Sequence, residues 1–162
     1  MHAVGYTLLT DGIDKYEAWE RCREDKEYER GLLLRMRGFL HYRPGSLVLV
    51  GGDPGIGKST LLLQVCRNLA ENGSSVLYIS GEESLRQIKL RANRIGTFNE
   101  NLQLLCETNL DTVREVMERK KPDVAIVDSI QTMFDEEIGS VPGSVSQVRE
   151  STNCLLYTSR CV

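Results

Sequence analysis

The chain has 162 residues, of which 41% are hydrophobic, and it carries a formal net charge of -3 at pH 7. This length supports one globular domain and is too short for two substantial ones. The longest apolar runs, such as 47–50 and 61–63, fall far short of the roughly 20 residues that a membrane span needs, so no transmembrane helix is expected. The net charge gives no overall attraction for nucleic acid, so only a local basic patch could provide one.

The amino terminus and the cysteines favour a cytoplasmic protein. The first residues mix polar and acidic side chains and lack the basic, apolar and small-residue order of a secretory signal. The five cysteines are scattered, and none forms the Cys-x-x-Cys pair of zinc or redox centres. We therefore expect reduced thiols in a cytoplasm.

Residues 1–43 are rich in charges of both signs and contain no clear strand, which predicts an amino-terminal segment of uncertain structure. From residue 44 onward, short β-rich apolar runs alternate with stretches of helical period, as in βα units with a mostly parallel sheet. The predicted strands are 47–50, 76–79, 102–105 and 124–127. The predicted helices are about 58–70, 85–95 and about 109–120. The sequence therefore predicts an α/β fold with helices flanking the sheet.

Local signals support the last two helices and the last strand. Ser84 with Gln87, and Thr108 with Asp111, have the spacing of capping boxes that begin helices. The run 124–127 is continuously apolar, which is typical of a strand buried on both faces. Asp128 follows it, at the edge of the sheet where α/β proteins bind their ligands.

The run 52–59, GDPGIGKS, matches the P-loop pattern G-x-x-x-x-G-K-[ST] between a predicted strand and a predicted helix. Glycines let backbone N–H groups approach phosphates, and the helix N-terminus adds partial positive charge. The pattern therefore predicts ATP binding, with Lys58 on the β- and γ-phosphates and Ser59 on Mg²⁺. The predicted nucleotide-binding residues are Gly52, Asp53, Pro54, Gly55, Ile56, Gly57, Lys58, Ser59 and Thr60.

Three acidic residues are candidates for the chemistry beside the phosphates. Asp128 is placed to hold Mg²⁺ through water, as a Walker B aspartate does, although a strand-terminal aspartate can also be a simple turn residue; Ser129 could assist it. Glu82 and Glu83 follow the strand 76–79, where one carboxylate could orient and deprotonate an attacking water. The alternative is that both are solvated acids that favour the dipole of the next helix. The candidate catalytic residues are Lys58, Glu82 and Glu83.

The helix 85–95 is predicted to turn an apolar stripe of Leu85, Ile88, Ala92 and Ile95 toward the sheet. Its opposite face carries Arg86, Lys89 and Arg94, with Arg91 at the margin and Leu90 among them. A solvated surface is the simplest interpretation of that face. The exposed leucine also allows a contact between protomers or with DNA.

Several longer runs resemble the bacterial RadA/Sms family of DNA repair proteins, which are RecA-like P-loop ATPases. They are PGS at 44–46 continuing to Gln64, YISGEES at 78–84 with QIKLRA at 87–92, ETNL at 107–110, DSIQT at 128–132 and PGSVSQVRE at 142–150. The resemblance covers about 44–150. It implies a partial RecA-like ATPase core over 44–162 that is incomplete at its carboxyl end. The family's four-cysteine zinc finger and glycine-rich approach to the core are absent from this sequence.

The resemblance implies a DNA-dependent ATPase that uses ATP and Mg²⁺, binds single-stranded and branched DNA, assembles into homo-oligomeric rings and acts in recombination and repair. It also implies that Glu82 is the catalytic glutamate and that the loop 136–143 faces DNA. Two other functions stay open from the sequence. One is a nucleotide-binding fragment without turnover, and the other is a P-loop small-molecule kinase, although no lid arginines are visible.

Overall fold

The structure, a computed structural model, describes residues 47–161, so the predicted segment 1–43 lies outside the described residues. The chain divides into two compact units between Lys58 and Ser59. The described part of the first unit holds the glycine-rich loop. Helices and strands follow in the second unit. Their bounds are α1 Lys58–Glu71, β1 Val76–Ser80, α2 Leu85–Ile95, β2 Leu102–Cys106, α3 Leu110–Lys120, β3 Val124–Asp128, a 3-10 turn Ile130–Thr132 and α4 Val145–Cys161.

The three strands form a parallel sheet in the order β2-β1-β3. Val76 pairs with Leu102 on one side and with Val124 on the other, and this register places Ser80 beside both Cys106 and Asp128. All three strands therefore end at one edge of the sheet. The predicted α/β fold with a parallel sheet and flanking helices is confirmed.

Side chains of β1 alternate between two apolar clusters on opposite faces of the sheet. Val76 and Tyr78 pack with Leu63 of α1 and Ile88 of α2. On the other face, Leu77 and Ile79 pack with buried residues of α3 and α4, among them Val113 and Leu155. β1 is fully buried because helices cover both of its faces. This central position makes β1 the rigid support for the residues that follow Ser80.

The prediction of a strand at 47–50 is wrong. These residues have no assigned strand structure, and Leu47 and Leu49 are exposed. A strand requires a neighbour to complete its ladder of hydrogen bonds. The described three-stranded sheet lies in the second unit, and an apolar pattern cannot replace a pairing partner.

Two details of the other predicted elements also differ. α3 is capped by Asn109, whose side chain accepts a hydrogen bond from the Thr112 N–H at 3.1 Å, and not by Thr108. The Thr108 carbonyl instead accepts a hydrogen bond from the Phe134 N–H at 2.9 Å, and the helix begins two residues later, at Leu110. The residues of β3 are all partly exposed, because β3 is an edge strand of the described sheet, although both of its faces contact the apolar clusters.

The predicted start of α2 is confirmed. Ser84 accepts a hydrogen bond from the Gln87 N–H, and the Gln87 side chain accepts one from the Ser84 N–H, so the capping box is complete. Within its apolar stripe, Ile88 is buried and Ile95 packs against the same cluster, whereas Leu85 is exposed. None of the described helices is long and apolar enough to cross a membrane.

Candidate active site

The glycine-rich loop folds around its own lysine. The Lys58 ammonium group donates hydrogen bonds to the carbonyl oxygens of Gly52 and Asp53, at 2.8 Å and 2.9 Å. Gly55 and Gly57 have φ angles of 79° and 96°, a conformation that side chains with a Cβ rarely adopt. At these two positions the loop therefore has a backbone conformation that only glycine adopts without strain. The Lys58 ammonium group lies against exposed carbonyl groups of the same loop.

These features fit a nucleotide phosphate. The loop leads directly into α1, whose first residues Ser59 and Thr60 carry hydroxyl groups. Lys58 and the N-terminus of a helix both favour an anion. A Cβ on Gly52 would lie 3.2 Å from a methyl group of Ile56, so even alanine at this position would crowd the loop.

The described residues also suit Mg²⁺ bound together with phosphates. Within 47–161, no three His, Cys, Asp or Glu side chains form a group that could hold a metal ion by themselves. Mg²⁺ commonly takes one or two protein oxygens and completes its shell with substrate phosphates and water. The Ser59 hydroxyl would be a direct ligand of that kind, and the Asp128 carboxylate would hold the ion through water.

Asp128 ends β3, and its side chain has a buried partner. The hydroxyl of Tyr78, which is fully buried, donates a hydrogen bond of 2.5 Å to Asp128 Oδ2. Burial first, and then this hydrogen bond, raise the pKa of Tyr78 above its ordinary value, so Tyr78 stays the proton donor. One carboxylate oxygen of Asp128 is thus fixed by the protein. Sequence reasoning missed Tyr78, although a tyrosine in a continuously buried strand needs a partner for its hydroxyl.

Glu82 is exposed, and its side chain is held by the segment that follows β3. The Ser129 hydroxyl donates a hydrogen bond of 2.6 Å to Glu82 Oε1. Asp128 and Ser129 are joined by a cis peptide bond. Glu82 thus contacts Ser129, which is the residue directly after Asp128. These residues lie at one edge of the sheet, as the sequence predicted.

Glu83 is in a different environment from its neighbour. Its carboxylate forms an ion pair with Arg91 of α2, and both side chains are about three-quarters buried, with 24% and 28% exposed. Its N–H donates to the Ser80 hydroxyl at 3.0 Å, and its carbonyl accepts a hydrogen bond from the Cys106 thiol at 3.2 Å. Burial, and secondarily Glu83 itself, raise the pKa of that thiol, which favours the protonated donor. Glu83 is therefore fixed by contacts with three elements.

Gly81 allows the chain to pass close to the 3-10 turn. A Cβ at this position would lie 2.0 Å from Thr132 Oγ1 and 2.7 Å from Thr132 Cβ. The Gly81 N–H also donates to the Asp128 carbonyl at 3.1 Å, and Thr132 donates to the Ser129 carbonyl at 2.7 Å. These contacts fix the backbone on both sides of the Glu82–Ser129 hydrogen bond.

Two further surfaces predicted from the sequence are the basic face of α2 and the loop 136–143. Arg86, Lys89, Leu90 and Arg94 are exposed on α2, whereas Arg91 turns to Glu83 and is not part of that basic face. The loop 136–143 precedes α4 and is organised by the buried Gln147. The Gln147 amide donates to the carbonyls of Asp135, Ile138 and Ser140 at 3.0–3.1 Å.

The parallel sheet, the P-loop motif that leads into α1, Glu82 after β1 and Asp128 at the end of β3 are the features of an α/β core of the RecA-like P-loop type. Residues 34–141, which are more than half of the chain, match the family model described as AAA domain, and the chain belongs to that family. It is 58% identical over 117 residues to the DNA repair protein RadA of Streptococcus pneumoniae, a match that covers 72% of this chain and 28% of that protein.

Two further relatives give the same result. The DNA repair protein RadA of Listeria monocytogenes is 57% identical over 117 residues, with 72% of this chain and 26% of the relative covered. RadA of Bacillus subtilis is 57% identical over 116 residues, with 72% and 25% covered. The chain therefore matches a segment of RadA and spans about a quarter of the length of these curated relatives, which confirms the resemblance found in the sequence.

Proposed function

We propose that the chain binds Mg-ATP at its P-loop and hydrolyses it, with Glu82 as the general base. The observation that carries the proposal is the hydrogen bond of 2.6 Å from the Ser129 hydroxyl to Glu82 Oε1. Ser129 is the residue directly after Asp128. That bond orients Glu82 while the rest of its side chain stays exposed. An exposed and oriented carboxylate can accept a proton from an attacking water, which is the task of a general base.

The other groups have separate roles. Lys58 and the backbone N–H groups of the loop would hold the phosphates and stabilise the charge that develops on the leaving oxygen. Ser59 and Asp128 would hold Mg²⁺, which neutralises phosphate charge when it is bound. Tyr78 keeps Asp128 in one orientation. Thr60 continues the first turn of α1 beside Ser59.

Replacement of Lys58 tests the nucleotide site. Charge-assisted hydrogen bonds contribute about 1.5–3 kcal/mol, so Lys58→Ala should weaken ATP binding roughly ten- to a hundredfold. Lys89→Ala is the matched control, because Lys89 is an exposed lysine on α2. Equilibrium titration with a fluorescent ATP analogue and Mg²⁺ would measure both variants. Equal affinities for Lys58→Ala and the unchanged chain would contradict the P-loop assignment.

The finer function is that of a DNA-dependent ATPase in the cytoplasm that acts in recombination and repair on single-stranded and branched DNA and assembles into rings. Support comes from the relatives, which are DNA repair proteins RadA, and from the runs of this sequence that resemble the RadA family. ATP turnover would be measured alone, with single-stranded DNA and with a branched duplex. Faster turnover with DNA supports this function. Unchanged turnover, or transfer of phosphate to a small acceptor, contradicts it and favours a kinase.

A further inference from the structure

Two adjacent glutamates follow β1, and their side chains lie in different environments. The Glu82 side chain is exposed and contacts Ser129, after β3. The Glu83 side chain is mostly buried and contacts Arg91, on α2. A carboxylate that is committed to an ion pair is poorly placed to take a proton from water, because protonation would break the pair. The environments therefore favour Glu82 for the chemistry and leave Glu83 a different role.

Arg91 lies on a helix whose start and packing are fixed by other residues. The capping box of Ser84 and Gln87 begins α2 directly after Glu83. One turn before Arg91 on the same side of the helix, Ile88 is fully buried in the core. The helix therefore can neither unwind at its start nor rotate without losing these contacts. The backbone of α2 is therefore held in place, and from it the Arg91 guanidinium group reaches Glu83, the residue just after Glu82.

The segment 81–83 is fixed on both sides of Glu82. Before it, Gly81 donates its N–H to the Asp128 carbonyl and approaches Thr132 too closely for a side chain. After it, Glu83 is fixed by the Ser80 hydroxyl, the Cys106 thiol and Arg91. The Arg91 ion pair is the contact of this set that restrains the Glu83 side chain. Losing it would free the Glu83 side chain and leave only the N–H and carbonyl contacts of Glu83 to hold the backbone next to Glu82.

We infer that Arg91, through its ion pair with Glu83, is a positioning residue that holds Glu82 in place for hydrolysis. This inference rests on the proposed function. A displacement of about 1 Å at a reacting group can lower a rate by about a hundredfold. Arg91 contacts neither water nor phosphate in this role. Its removal should therefore lower kcat and leave ATP affinity nearly unchanged.

The test compares Arg91→Met, Arg91→Lys, Glu83→Gln and Glu82→Gln in the whole chain, with Arg86→Met as a control on the exposed face of the same helix. The rate kcat, KM and the ATP dissociation constant are measured for each, and rates are normalised to the number of ATP sites bound. We expect Arg91→Met to lower kcat roughly ten- to a hundredfold at a nearly constant dissociation constant. Arg91→Lys should recover most of the loss, because lysine keeps the charge, and Arg86→Met should have no effect.

A second readout does not depend on turnover. In Arg91→Met without nucleotide, the backbone amides of 81–84 should exchange hydrogen faster than in the unchanged chain, while β1 stays protected. The double variant Glu83→Gln with Arg91→Met should be no slower than Arg91→Met alone, because the two residues act as one unit.

Three outcomes would overturn the inference. An unchanged kcat in Arg91→Met would show that the ion pair does not position Glu82. A loss of turnover in Glu83→Gln as complete as in Glu82→Gln would make Glu83 a base in its own right. Absence of turnover in the unchanged chain that still binds ATP would contradict the proposed function itself, and with it the role of Arg91, before any variant is compared.

Discussion

At the scale of single residues, the hydroxyl of Tyr78 is a buried group with a direct link to the proposed metal site. It donates to Asp128 Oδ2 from the middle of β1, across to the end of β3. Partners of this kind orient metal ligands, and their loss typically costs about tenfold or more in metal affinity. The Tyr78 hydroxyl is therefore connected to the proposed metal site through Asp128.

We predict that Tyr78→Phe raises the Mg²⁺ concentration needed for half-maximal ATP binding by about tenfold. Phenylalanine keeps the ring in the core and removes only the hydroxyl group. Titration of ATP binding with Mg²⁺ measures the effect. Tyr157→Phe is the matched control, since Tyr157 is 72% exposed on α4. The same Mg²⁺ requirement in both variants would contradict the role of Tyr78.

Gly81 gives a second prediction at this scale. A Cβ there would collide with Thr132, so Gly81→Ala should lower the free energy of unfolding by about 1–3 kcal/mol through overpacking. Gly139→Ala serves as the control, because a Cβ at Gly139 meets nothing within 4 Å. Denaturant unfolding of both variants measures the difference. Equal stabilities would show that Thr132 moves aside without cost.

Local patterns, either a spaced motif or a strand end, predict a site at the P-loop, at Asp128 and at the pair Glu82 and Glu83, and the family resemblance favours Glu82 within that pair. The sequence could not predict the contacts that hold them. Tyr78 and Asp128 are 50 positions apart, and their meeting depends on the register of β1 against β3. Arg91 was placed at the margin of a basic face by helical geometry alone, and only its contact with Glu83 reveals its place in the site.

At the scale of elements, Gln147 organises the segment between the 3-10 turn and α4. It is buried in the first turn of α4 and donates to three carbonyl groups. Its own carbonyl oxygen accepts a hydrogen bond from the Asp135 N–H at 3.3 Å. A loop without regular structure is thereby tied to a helix through one side chain.

We predict that Gln147→Leu lowers the free energy of unfolding by about 1–3 kcal/mol, because buried polar groups lose their partners. Amide hydrogen exchange should also become faster in the loop 135–144, and less so in β1. Gln131→Leu, at an exposed position, is the control. Unchanged exchange in the loop would mean that contacts other than Gln147 hold it.

The elements were predicted well where their signals are local. The capping box at Ser84 was correct because both partners lie within one helical turn. The cap of α3 was misplaced by one residue because Thr108 pairs with Phe134, which is distant in sequence. The strand at 47–50 was wrong for a similar reason: its pattern is apolar, but a strand exists only with a partner to complete its ladder.

At the scale of the whole molecule, the first unit carries the glycine-rich loop, and the second unit carries a parallel sheet with acidic residues at one edge. Glu82 follows β1 and Asp128 ends the neighbouring strand β3, and β1 is fully buried. A buried central strand suits a site that must hold charged groups without much movement. The match to the AAA domain family agrees with this architecture.

The most direct test of the account is single-turnover hydrolysis of Mg-ATP by the 162-residue chain and by Glu82→Gln, with ATP binding measured on the same samples. We predict that Glu82→Gln binds ATP as the unchanged chain does and hydrolyses it about a hundred- to ten-thousandfold more slowly, which is the usual contribution of a general base. Hydrolysis by Glu82→Gln at the unchanged rate would contradict the account, and so would an unchanged chain that binds ATP without hydrolysing it.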